Sequence, residues 1–170
     1  PDIPLFPRTF RLRAAAVAAY PMYRGLARLV GMDVLETGPT FADEIATLER
    51  HWDNFDFFFL HYKDTDKAGE DGDFDAKVAA LERFDARLPD VLALGPDVLA
   101  VSGDHSTPSI LAAHGWQPVP ALVSSAYCGA DHVSRFTERD CAGGALGILP
   151  AQDLMPLLMA NALRLAKYGA

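Results

Sequence analysis

Strand-length apolar runs that alternate with longer helical patterns predict an α/β fold with a mostly parallel sheet. Three observations carry this expectation. The alternation itself is the pattern of βα units. The run FDFFFLHY is apolar almost throughout, as a central parallel strand buried on both faces should be. Along residues 75–94, Val78, Leu81, Phe84, Leu88, Val91 and Leu92 recur at spacings of three and four, the period of a helix lying on a sheet.

The elements follow in order. Strands are expected at residues 14–19, 32–35, 55–60, 98–101 and 119–123, each bounded near Gly, Pro or Asp. Helices are expected at 22–30, 41–52, 75–94 and 153–167. The last closes the domain, with Arg164 and Lys167 suiting the negative end of its dipole. With 170 residues, half of them apolar, and no repeat or compositional break, residues 1–170 read as one domain.

The formal net charge of −8 argues against a nucleic-acid partner, because neutralising phosphates requires clustered Lys and Arg. No stretch reaches the roughly 18 apolar residues of a membrane helix, and the opening PDIPLFPRTFRLR lacks the apolar core of a signal peptide. A soluble protein without membrane contact is expected. Two cysteines, Cys128 and Cys141, allow at most one bridge, which fits a reducing cytoplasm.

In open α/β sheets ligands bind beyond the carboxyl ends of the strands. There the sequence carries HYKDTDKAGEDGDF after residues 55–60 and SGDHSTPS after 98–101, while AHGWQPVP precedes 119–123. Carboxylates and imidazoles thus approach from three segments. Oxygen and imidazole nitrogen suit Mn²⁺, Mg²⁺ or Zn²⁺ and need no thiolate. The same acidic stretch would also serve to cap the helix that begins near Asp75.

TDKAGEDGDFDAKV, SGDHSTPS and AHGWQPVPAL resemble the three C-terminal signature segments of cofactor-independent phosphoglycerate mutases of the archaeal type, within the alkaline phosphatase superfamily. AAAVAAYPMYRGLARLVGM and RFTERDCAGGALGILPAQDLMPLLM extend the likeness over nearly the whole chain. The resemblance implies a three-layer α/β/α sandwich. This chain would be an incomplete alkaline-phosphatase-like core, the portion that follows an inserted transferase domain. The N-terminal half and that domain are then its expected partners, and phosphoglycerate its substrate.

The family holds two divalent ions, usually manganese, with magnesium, cobalt or zinc as alternatives. By resemblance, Asp104 and His105 match the Asp-His pair beside the nucleophile's metal, while Asp66 and His114 match ligands of the other. Glu70 stands where the family motif has histidine, so either it ligates through oxygen or that site is weakened. Arg24 falls where relatives place a basic residue on the phosphoryl group. Ser106 and Thr107 suit a capping role or the orientation of the Asp-His pair.

The family moves a phosphoryl group between the 2- and 3-hydroxyls of glycerate through a phosphoserine. No serine here matches that nucleophile, so the chain alone is expected to be inactive. Another phosphomutase or phosphatase of the superfamily, or a noncatalytic metal-binding fragment, would use the same ligands. In geometry, the five ligand candidates should share one pocket, with Asp104 beside His105 and Asp66 beside His114.

Overall fold

Five small apolar residues at Ala14–Ala18 form β1, and every one of them is buried. In the computed structural model, which describes residues 3–165, β1 is the middle strand of a parallel sheet. The edges of that sheet are β2 (Asp33–Val34) and β3 (Phe57–His61). Ala16 stands in register with both Val34 and Phe59. Successive strand residues face opposite sides, so complete burial of β1 requires cover on both faces and gives the α/β/α layering.

Helix α2 (Pro21–Leu29) opens with proline in its first turn, where the missing N–H costs nothing. Gly31, at φ 81°, closes it: its N–H meets the Arg28 carbonyl, and the Met32 N–H meets that of Ala27. Helix α3 (Phe41–His51) begins with a reciprocal cap in which Thr40 and Asp43 satisfy each other's backbone N–H groups. Its buried Ile45 and Leu48 pack with Val91, and Phe41, Trp52, Phe58, Leu60, Leu94 and Leu99 surround them. Phe58 and Leu60 lie on β3, whereas Leu99 lies on β4 (Val98–Ser102), so one core serves both sheets.

Several expectations need correction. Strand β5 (Ala121–Ser125) joins β4 antiparallel, in a separate two-stranded sheet with Ala100 opposite Val123. A parallel pair needs a crossover, usually helical, and residues 103–120 fold back without one. The helix expected over 75–94 is two helices, α5 (Phe74–Asp85) and α6 (Leu88–Ala93). Pro89, in the first turn of α6, cannot continue a helix from the N-terminal side. The acidic stretch is a helix too, α4 (Asp64–Glu70), and Asp73 caps α5 at 2.9 Å from the Ala76 N–H. The last helix, α8, spans Leu154–Asn161 and ends before Leu163, which has a positive φ of 55°. Lys167 lies outside the described residues. Short helices at Phe6–Phe10 (α1) and Glu138–Cys141 (α7) complete the α-helices among the described residues.

Candidate metal centre

The centre forms where the segments that follow β3 and β4 meet. Asp66 and Glu70 sit four residues apart on α4 and therefore share a face. Asp104 and His105 follow β4, and His114 returns beside them. A backbone hydrogen bond of 2.7 Å from Gly115 N–H to the Ser106 carbonyl holds that return. The imidazole rings of His105 and His114 lie against each other, tilted by 36° with 4.0 Å between centroids.

One donor atom from each of Asp66, His105 and His114 lies within 4.8 Å of the others. Asp66 Oδ1 is 3.9 Å from both His105 Nδ1 and His114 Nε2. Asp104 Oδ2 lies 3.7 Å from His105 Nε2, and Glu70 Oε1 lies 3.3 Å from His114 Nε2. All five candidate ligands therefore form one contiguous group. One shared pocket was expected, with Asp104 beside His105 and Asp66 beside His114; His105 faces Asp66 as well as Asp104 and so links the two pairs. A carboxylate with two imidazoles in this arrangement fits a divalent ion such as Zn²⁺ or Mn²⁺. Arg24 is held elsewhere, its Nη2 2.5 Å from Glu36 Oε1.

Neighbouring side chains hold the donors in place. The Thr107 hydroxyl donates to Asp66 Oδ1 and lies 3.0 Å from His105 Nδ1, which suits the orienting role expected of it. Lys77, from α5, donates to the Thr107 carbonyl at 2.5 Å. A Cβ at Gly69 would run into that same carbonyl oxygen, so α4 can approach the loop only through glycine. Lys63 donates to Asp66 Oδ2 and stands 3.8 Å from Glu70 Oε2. Burial pulls the Asp66 carboxyl upward, but the hydrogen bonds from Lys63 and Thr107 and the charges of Lys63 and His105 outweigh it. The carboxyl is held below its ordinary range.

Three participants, Tyr23, His61 and Lys63, were not singled out from the sequence. Tyr23, on α2, donates its hydroxyl to Asp104 Oδ2 across 81 positions of chain. Its ring lies on that of His61 at 3.7 Å, and burial pushes the His61 imidazole down. Lys63 lay in plain view within HYKDTDK but read as one charge of a solvated run. Its position one turn before Asp66 is the feature that could have singled it out.

Such a centre, on an α/β/α scaffold with its donors beyond the strand ends, defines a metal-dependent enzyme class. Residues 2–161 match the Metalloenzyme superfamily, and the chain belongs to it. Over its whole length it is 56% identical to a probable 2,3-bisphosphoglycerate-independent phosphoglycerate mutase of Aquifex aeolicus. It is 51% identical to the probable enzyme of the same name from Thermus thermophilus. The chain spans 42% and 43% of the length of these two curated relatives. A solved structure from Pyrococcus horikoshii matches all of this chain and 55% of its own, with a TM-score of 0.94 and 32% identity. The cofactor-independent phosphoglycerate mutase of Thermoplasma acidophilum matches 95% of this chain and 40% of its own, with a TM-score of 0.74 and 25% identity.

Proposed function

We propose that this chain is the metal-binding portion of a 2,3-bisphosphoglycerate-independent phosphoglycerate mutase, acting on 2- and 3-phosphoglycerate. The observation that carries this reading is the convergence of Asp66, His105 and His114 in a chain that is similar over its full length to such enzymes. Two divalent ions, Mn²⁺ in our reading, held by Asp66, Glu70, Asp104, His105 and His114, would neutralise phosphoryl oxygens and activate the attacking oxygen. The chain's own residues prepare that site. Thr107 keeps Asp66 aimed, Lys77 fixes the loop that carries Thr107, and Lys63 offsets the charge of Asp66 until an ion takes its place. Arg24 is our choice for the phosphoryl group. Its partner Glu36 has 81% of its side chain exposed, so the pair is weak and a phosphoryl oxygen can compete for the guanidinium.

In this reading the nucleophile and the transferase domain belong to the part of the relatives beyond the match, and the full enzyme works in the cytoplasm. The test is coexpression with the unmatched portion of the Aquifex aeolicus relative, followed by assay of 2- and 3-phosphoglycerate interconversion with Mn²⁺. Turnover that disappears in Asp66→Ala supports the proposal. A complex that binds Mn²⁺ yet only hydrolyses phosphate esters would move the chain to another reaction.

A further inference from the structure

Tyr23 comes to the centre from a different element than any candidate ligand. It sits in the first turn of α2, beyond the end of β1, and reaches across to the loop after β4. Three contacts fix its aim. Its ring stacks on His61, the last residue of β3, at 3.7 Å and 25° between planes. Phe59 lies on the same side at 6.3 Å. Upstream, the Ala19 N–H donates to the buried carboxylate of Glu44 at 2.6 Å, which pins the turn from β1 into α2.

Asp104, by contrast, has little to steady it. Its side chain is 55% exposed. Oδ1 accepts from the His105 backbone N–H at 3.1 Å, a bond within its own loop, and Oδ2 accepts from Tyr23. An exposed carboxylate that must be ordered at the moment of ion binding loses affinity to that ordering, and an external donor removes the loss in advance. The phenol O–H leaves a second lone pair of Oδ2 free to face an ion.

We propose that Tyr23 is a positioning residue of the metal centre, whose hydroxyl holds Asp104 in the rotamer that sets its carboxylate beside His105. The proposal rests on the metal-centre reading, and the experiment separates the two. Mn²⁺ affinity is measured by calorimetry on the wild-type chain, Tyr23→Phe, Asp104→Ala and the double variant. Tyr23→Phe keeps the ring and its stack on His61 and removes only the donor. The expected result is a loss of about tenfold in Mn²⁺ affinity for Tyr23→Phe, at the low end of what removal of an orienting partner costs. The double variant should bind no more weakly than Asp104→Ala alone, because Tyr23 then has nothing to hold. Wild-type affinity in Tyr23→Phe overturns the proposal and leaves the metal centre standing. A further tenfold loss in the Asp104→Ala background also overturns it, since Tyr23 would then act through the fold. Absence of Mn²⁺ binding by the wild-type chain overturns the metal-centre reading and the proposal with it.

Discussion

Replacing Glu44 with glutamine should stabilise the chain at neutral and alkaline pH and leave it unchanged in acid. Glu44 is 3% exposed on α3, where its carboxylate accepts the Ala19 N–H at 2.6 Å. Burial is the main influence on its proton affinity. The charges of Asp64 and Asp43 add to it, the Ala19 hydrogen bond opposes it, and the carboxyl is pushed up from 4.5 to about 7. The folded state thus holds this proton more tightly than the unfolded chain does. The sign follows: the contribution is fully present below about pH 4.5 and is lost as the pH rises through about 7. At 1.36 kcal/mol per pH unit, the loss is about 3 kcal/mol, a large share of the 5–15 kcal/mol that holds an ordinary domain folded. Glutamine keeps an acceptor oxygen for Ala19 and nearly the same volume but cannot ionise. Urea unfolding of both proteins at pH 4.5 and pH 8 cancels the other carboxylates in the difference. The advantage of Glu44→Gln should grow from near zero to about 3 kcal/mol between those values. A difference that does not change with pH would refute the argument.

Two further outcomes follow from the centre. Lys63 places its ammonium on Asp66 and near Glu70, where it competes with any divalent ion. Lys63→Met should therefore raise Mn²⁺ affinity by about tenfold, with the Coulomb term discounted for partial exposure; calorimetry showing equal or weaker binding would contradict this. Gly69→Ala should destabilise the chain by about 1–3 kcal/mol, because the new methyl meets the Thr107 carbonyl. It should also weaken Mn²⁺ binding as Thr107 withdraws from Asp66, and thermal melts with a parallel titration would check both effects.

The parallel sheet was legible because β1 is an unbroken apolar run, which follows from burial on both faces, whereas β3, expected as a central strand from its aromatic run, lies at the sheet edge with every residue only half-buried. The direction of β5 was not. Strand polarity is decided by the path of the connection, and nothing in the composition of residues 103–120 announces a return rather than a crossover. Helix α4 escaped notice because DTDKAGE has no apolar period; its stability comes from acidic residues at its positive end and from tertiary contact through Gly69. The grouping of Asp66, His105 and His114 could be anticipated from strand ends and resemblance. The joining of both expected pairs through His105 could not, since it depends on how far α4 approaches the Thr107 loop. Tyr23 was invisible for a simpler reason: an aromatic in YPMYRG reads as packing, and its partner lies 81 positions away.

The centre is stitched between two sheets that do not share a hydrogen-bonded edge among the described residues. One sheet, through α2 and α4, brings Tyr23, Asp66 and Glu70; the other brings Asp104, His105, Thr107 and His114. A chain of net charge −8 thereby gathers Asp66, Glu70 and Asp104 in one place, and their mutual repulsion must be offset for the two sheets to stay together. Lys63 answers Asp66 and Glu70, Lys77 and Thr107 hold the loop against α4, and Tyr23 reaches Asp104. These contacts bind the sheets where the backbone does not, apart from the shared core around Ile45, Leu48 and Val91. A divalent ion among the same carboxylates and imidazoles would act in the same direction, so ion binding and the docking of the two sheets favour each other as linked equilibria.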